Sequence, residues 1–289
     1  MEQKSETQPD QQTIDEVLIL FKSGKFDKAK IKIENYIKKF PKSFVLFNIL
    51  GAVCAAQDKL EVAINHHKKS IEINPDYAEG YNNLGIAFQK LGLFEEAVKN
   101  YKKTLKLKPN FAPAYNNLGI TLKSLNKLDE ALINAKKAIE LDPKYADAYN
   151  NIGAILHDLD KLEEAHRSYK EAIKLKPNYS DAYYNLGVLL KKLGKIEECV
   201  ENFQKAVKIN QKNSRAYSNY LFNLNYLTKY DDNYYLEEVK KFRLSLKKID
   251  DQLYIPYKYI INPKKLTVGF ISADFRNHPV GFFLIGILK

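Results

Sequence analysis

Apolar residues recur along this chain with the period of a helix, and the pattern itself returns every 34 residues. Cut from Ala78, the blocks 78–111, 112–145, 146–179 and 180–213 follow one another without an insertion, and the register runs back through 44–77 and 10–43. With positions numbered 1 to 34 in each block, apolar or small residues stand at 4, 7, 8 and 11, as Tyr115, Leu118, Gly119 and Leu122 do. That i, i+3, i+4, i+7 spacing is one face of an amphipathic helix, helix A. A second stripe at 17, 20, 24 and 27, as in Leu162, Ala165, Tyr169 and Ala172, defines helix B. Small residues at 8 and 20 let the two helices approach closely. Gly92 and Gly194 at position 15 permit the turn between them, and Pro75, Pro109, Pro143 and Pro177 at position 32 stop helix B. One such hairpin cannot bury its stripe, whereas stacked neighbours bury a continuous one. The pattern therefore predicts an all-α solenoid of six two-helix repeats over residues 10–213.

The flanks differ. Residues 1–9 are polar and expected to be disordered. Residues 214–228 begin a seventh helix A, with Tyr217, Asn219 and Leu221 in register, but no helix-B pattern completes it. Residues 214–265 thus read as a partial repeat and a helical connector, in which Asp231 or Asp232 can cap a helix over 233–248. Residues 266–272, LTVGFIS, form the one convincing strand, and Pro279 can open a helix behind it. Strand, short loop, helix is the opening unit of an α/β domain, and ligands of such domains bind at the carboxyl ends of the strands, where Asp274 and His278 fall.

Composition narrows the class. With 45% hydrophobic and 28% charged residues and only 12 Gly and 10 Pro, the chain is neither collagen-like nor disordered. Its longest uncharged apolar stretch, 280–288, is far shorter than the ~20 residues of a membrane helix. The polar first residues lack the apolar core of a secretory signal, so a cytoplasmic protein is expected. Cys54 and Cys199 fall at stripe positions 11 and 20 and read as packing residues. His66, His67, His157 and His166 have no partner at metal-ligand spacing, so no metal is expected. The net charge of +11 raises nucleic acid as a partner, but all but four of the 46 basic residues are lysine, whereas base readout and phosphate forks favour arginine. The reading points away from nucleic acid. Lys69, Lys103, Lys137 and Lys205, recurring at position 26, are expected on a solvated outer face.

The informative signal lies opposite the core stripe. At ~100° per residue, position 6 of helix A points about 150° away from the mean direction of positions 4, 7, 8 and 11. It is Asn83, Asn117, Asn151, Asn185 and Asn219, five asparagines at an unbroken spacing of 34. Helix propensity does not explain them. Two roles fit: bonding one repeat to the next, or presenting a ladder of amides to the N–H and C=O groups of an extended peptide. We take the second as the expectation, since Ile86, Ile120, Ala154 and Val188 at position 9 run an aliphatic strip beside the ladder. Positions 6 and 9 of these repeats hold no Lys or Arg, so the face is not a clamp for a carboxylate terminus. Position 6 of the two earlier repeats is Asp15 and Ile49, and those repeats read as caps.

The period and signature resemble the tetratricopeptide repeat. Repeats followed by VGFISADFRNHPV further resemble the protein O-GlcNAc transferases and their SPINDLY-like relatives. The first resemblance implies a right-handed solenoid whose A helices line a concave groove for protein or extended peptide substrates. The second implies that 266–289 starts a GT-B type catalytic domain of a family that transfers N-acetylglucosamine from UDP-GlcNAc to a Ser or Thr hydroxyl, with GDP-fucose as the donor of some relatives. Asp274 and His278 are then its candidates for proton handling or donor-site order. Two doubly wound lobes need on the order of 300 residues. The chain therefore reads as the N-terminal portion of such an enzyme, binding no cofactor or donor by itself, or alternatively as a non-enzymatic interaction scaffold.

Overall fold

The computed structural model describes residues 8–227 and 232–247, and among them are fourteen helices and no strand. Helices α1 (Gln11–Lys22) and α2 (Phe26–Lys39) form a first hairpin, and α3 (Phe44–Ala56) and α4 (Leu60–Ile73) a second. The hairpins α5 (Ala78–Lys90) with α6 (Phe94–Leu107), α7 (Ala112–Ser124) with α8 (Leu128–Leu141), and α9 (Ala146–Asp158) with α10 (Leu162–Leu175) follow. Then come α11 (Ser180–Lys192) with α12 (Ile196–Ile209), and finally α13 (Ser214–Leu224) and α14 (Asp232–Lys247). From Phe44 to Ser214, each odd-numbered helix starts 34 residues after the previous one. Each helix up to α13 packs against its neighbours in sequence, which is the arrangement of an α-solenoid.

The intimacy of the five hairpins from α3 to α12 is set at position 8, where each carries glycine. A methyl group built on Gly153 would stand 2.6 Å from the Tyr169 ring, and one on Gly187 2.8 Å from the Phe203 ring. Glycine at 8 thus makes room for a large ring at position 24 of helix B. In the fourth hairpin position 24 is Ala135, and Gly119 instead faces helix backbone, with Ala131 O 3.1 Å from a built methyl. Cys54 and Cys199 are fully buried among these contacts.

The turn from helix A to helix B falls at position 15 every time. Gly24, Asp58, Gly92, Asn126, Asp160 and Gly194 all have positive φ, between 57° and 75°. Only two of these six were legible as turn residues from the glycine pattern of the central repeats. Asp and Asn tolerate the left-handed region and serve the same turn. Helix B ends at position 31, where either a short acceptor or a lysine closes the turn. Asn74, Asp142 and Asn210 accept from the backbone N–H two residues on. Lys108 and Lys176 reach back instead to Glu79 and Asp147 at position 2 of their own repeats, at 2.6 and 3.5 Å.

The ends are finished differently. At position 7, where later repeats bury Leu50 or Leu84, α1 carries Glu16, which accepts from Tyr36 Oη at 2.7 Å and pairs with Lys32 at 2.6 Å. Of the nine leading residues expected to be disordered, 8 and 9 are described, and Gln8 donates to Lys42 O and accepts from Ser43 Oγ, both at 3.0 Å. At the other end α14 closes the core: Phe242 stacks on Tyr217 with 4.8 Å between ring centres, and Gln204 donates to Tyr234 Oη at 3.1 Å. No small residue marks this helix as a helix B. It starts two residues later than the register of the other repeats sets for helix B, which brings Tyr235, Val239 and Phe242 to the places of positions 20, 24 and 27. The lysines at position 26 are not all simply solvated. Lys69 and Lys137 pair with Glu72 and Glu140, but the ammonium groups of Lys103 and Lys205 lie 5.6 and 5.7 Å from the ring centres of Tyr81 and Tyr183.

Candidate peptide-binding groove

The five position-6 asparagines are half-buried, and four of them give an N–H to the preceding repeat. Asn83 Nδ2 donates to Asn48 Oδ1 at 3.0 Å, Asn117 to Asn82 at 3.2 Å, Asn151 to Asn116 at 2.8 Å, and Asn185 to Asn150 at 3.0 Å. Each acceptor is a buried position-5 asparagine. Asn219 meets Tyr184 at that place, touching its hydroxyl only at 3.5 Å, and donates to Arg215 O at 3.0 Å. The asparagines therefore clasp repeat to repeat, the first of the two roles the spacing allows. The sequence carried the signal for it in the dipeptides Asn82-Asn83, Asn116-Asn117 and Asn150-Asn151, of which only the second members were singled out.

The clasp leaves part of each amide free. Among the described residues the one buried side-chain oxygen without a partner is Asn223 Oδ1, so the unpaired Oδ1 atoms of Asn117, Asn151 and Asn185 are open to solvent. The clasp holds one N–H of each of these amides to the repeat before it. The position-5 side is anchored in turn: Asn48 Nδ2 donates to Tyr77 Oη at 3.2 Å, and Asn116 Nδ2 to Tyr145 Oη at 3.5 Å. Burial pushes both phenols up from their usual pKa. With Nδ2 of Asn48 committed to Tyr77, its Oδ1 faces His67 Nδ1 at 2.9 Å, so that ring nitrogen carries the proton. Burial draws the His67 pKa down to about 4.

Beside the rungs, Ile86, Ile120, Ala154 and Val188 are half-buried, and the strip continues one repeat further than the sequence reading took it, to Phe222. That ring is 49% exposed and has the Lys191 ammonium 4.9 Å from its centre. An open cavity of about 500 Å³ lies next to the rung of Asn185, lined also by Asn150, Tyr184, Asn210 and Asn213. It opens where the sequence leaves its own pattern, since Asn213 replaces the aromatic residue that Tyr77, Phe111, Tyr145 and Tyr179 supply at position 34. Asp181 and Arg215 line it too, and among the described residues neither side chain has an ion-pair partner. Groups of three or more His, Cys, Asp or Glu side chains placed to hold a metal are absent among the described residues. Asp274 and His278 lie outside the described residues, as do the strand and helix expected around them.

Family models described as "TPR repeat" match residues 51–92, 121–160 and 153–194. Others, described as "Tetratricopeptide repeat", match 78–111, 180–213 and 100–133, so the matches together span 51–213, more than half of the chain. The chain is a tetratricopeptide-repeat protein. The Hsp70-Hsp90 organizing protein of Triticum aestivum is 32% identical to it over 72 residues, which are 25% of this chain and 12% of that relative. Among solved structures, a chain of the APC/C hetero-tetramer Cut9-Hcn1 aligns with a TM-score of 0.68 at 16% identity, covering 82% of this chain and 46% of that one. TTC0263, a thermophilic TPR protein of Thermus thermophilus, aligns with a TM-score of 0.56 at 23% identity, covering 62% and 97%. At these identities the likeness is one of fold. The clasped rungs from Asn83 to Asn185 all fall within the repeats that the family models match, and no described helix of this tetratricopeptide-repeat protein is long and apolar enough to cross a membrane.

Proposed function

We propose that this tetratricopeptide-repeat protein is an interaction scaffold that holds an extended polypeptide along the open face of its A helices. The observation that carries the reading is the row of rungs at Asn117, Asn151 and Asn185, each locked by one N–H to the repeat before it and each with its carbonyl oxygen open. A locked amide loses little freedom on binding, which favours recognition of main-chain N–H groups. Packed helices lie about 8–10 Å apart, and an extended chain advances about 3.3 Å per residue. One rung therefore serves about every third residue, and side-chain identity is read only weakly. The strip from Ile86 to Phe222 supplies apolar contact alongside. The name of the wheat relative, an organizing protein of two others, is in keeping with this role.

The rungs and the clasp can be separated by mutation. Asn82→Ala and Asn116→Ala remove clasp acceptors and leave the rungs, whereas Asn117→Ala and Asn151→Ala remove the rungs themselves. In fluorescence anisotropy with uncharged 15-residue peptides, the rung variants are expected to lose about tenfold in affinity or more, and the clasp variants much less. Equal losses in both sets, tracking stability in urea, would show that the asparagines only join repeats. The finer reading, that the polypeptide held is the acceptor of a sugar from UDP-GlcNAc, rests on the family resemblance of residues 266–289.

A further inference from the structure

The charge of this protein is sorted along the B helices. In the five repeats from residue 44 to 213, positions 22, 25, 26 and 29 share one face of helix B and hold thirteen Lys or Arg against four acids, a surplus of +9 beside the +11 of the whole chain. Positions 18 and 19, at the start of the same helices, hold nine acids and no base. Two bands of opposite sign therefore run side by side across the repeats. The helix macrodipole accounts for the acids, which sit in the first turn, but its reach ends within a turn of each terminus. Positions 25 and 26 are mid-helix, so it does not account for the bases. Lys68, Lys102, Lys136 and Lys170 make an unbroken row at position 25, all exposed and none in an ion pair among the described residues. Ile133 stands within the band at position 22, 68% exposed.

We propose that this row is a second binding surface, distinct from the groove, for an extended acidic polypeptide. The width of the bands decides the ligand class. Successive lysines of the row belong to neighbouring repeats, whose B helices do not pack directly on one another, and a single extended chain carrying acids at intervals can follow them one by one. The acidic band lies only one to two helical turns away, roughly 5–10 Å, which is within a Debye length at physiological salt. A flat anionic bilayer or a nucleic-acid duplex covers both bands and meets as much repulsion as attraction. A single chain meets only the basic band, and the acids beside it hold it in register. Lysine suits this task, since dispersed carboxylates ask for point charges rather than the planar fork of arginine. Ile133 offers one apolar contact in the middle of the path.

The test uses the full chain and a fluorescein-labelled 20-residue poly-glutamate. Anisotropy is expected to show binding that weakens about tenfold or more between 50 and 200 mM NaCl. Lys102→Gln/Lys136→Gln/Lys170→Gln, which leaves every buried contact in place, is expected to reduce affinity at least tenfold while binding an uncharged groove peptide as before. Neutralising the neighbouring band with Glu95→Gln/Glu96→Gln/Glu163→Gln/Glu164→Gln is expected to broaden binding to phosphatidylserine-containing vesicles and to a 20-base-pair DNA duplex. No binding of poly-glutamate, or equal binding by the lysine variant with its fold intact by circular dichroism, would overturn the proposal. Vesicles or duplex bound by the unaltered chain as tightly as poly-glutamate would overturn the choice of ligand.

Discussion

Position 24 carries a large ring in three of the central repeats, Tyr101, Tyr169 and Phe203, and in the second repeat it carries His67. That imidazole is 1% exposed, bonded through its Nδ1 proton to Asn48 Oδ1, and held neutral by burial with a pKa of about 4. In the unfolded chain it titrates near 6.5. Between those values the unfolded state binds the extra proton, so stability is unchanged above pH 6.5 and falls as the pH drops towards 4, by about 2 kcal/mol at pH 5. His67→Tyr restores the residue of the other repeats and is expected to remove this share of the pH dependence, measured by urea unfolding at pH 7 and pH 5. An unchanged difference between the two pH values in the variant would place the titrating group elsewhere. Asn223 offers a second case. Its Nδ2 donates to Asn219 O at 2.7 Å, but its Oδ1 is buried with no partner. Thr121 occupies the same repeat position and makes the equivalent bond, to Asn117 O at 2.8 Å. Asn223→Thr keeps that bond and removes the orphan acceptor, so the melting free energy is expected to rise by about 1 kcal/mol.

Between helices, two glycines of the same hairpin type do unlike work, and substitution separates them. At Gly92, φ is 75° and a built methyl group meets nothing within 4 Å, so Gly92→Ala costs backbone strain alone, about 1–2 kcal/mol. Gly92→Asn, the choice made by this chain at Asn126, is expected to cost about half of that. At Gly153 the backbone is helical and the obstacle is the Tyr169 ring, so Gly153→Ala costs about 1–3 kcal/mol through overpacking and is relieved by shrinking the ring. Combining Gly153→Ala with Tyr169→Ala removes the ring that the added methyl meets and is expected to be non-additive in chemical denaturation. These elements were legible in the sequence because each repeat restates them, so the helix spans, the small residues and the proline stops could be read against one another. What escaped was whatever departed from the repeat. The turn at Asp58 and Asp160 carries no glycine, α14 packs the half-buried Tyr234 and Phe242 against the core without a helix-B signature, and the clasp needs a bond between repeats that periodicity within one repeat cannot show. For the site, the spacing of 34 predicts that the five asparagines recur at one repeat position, but the bond to position 5 follows only from how closely the stacked helices approach.

Across the whole molecule, the core is divided. One cluster of buried residues runs from Val17 to Ala63, and a second begins at Ile64 and continues through every later repeat to Leu227. In a solenoid each repeat is held only by its neighbours, so a seam in the core is the place where the array comes apart first. The seam lies in α4, and Asn48 bonds to what lies beyond it: its Oδ1 accepts from His67 Nδ1 in α4 and from Asn83 Nδ2 in α5. Protonating His67 therefore strikes the bond between α3 and α4, at the acceptor that also holds the third hairpin. On acidification from pH 7 to pH 5, amide hydrogen exchange is expected to accelerate across α1 to α4 well before α7 to α12, so that residues 10–77 open as a unit while the later repeats stay protected. In His67→Tyr the early opening is expected to vanish, because the phenol stays neutral throughout that range. If exchange instead rises evenly along all the hairpins at pH 5, the array is a single cooperative unit and the seam in its core has no energetic consequence. If the early opening persists in His67→Tyr, the seam is real but the histidine is not what loosens it.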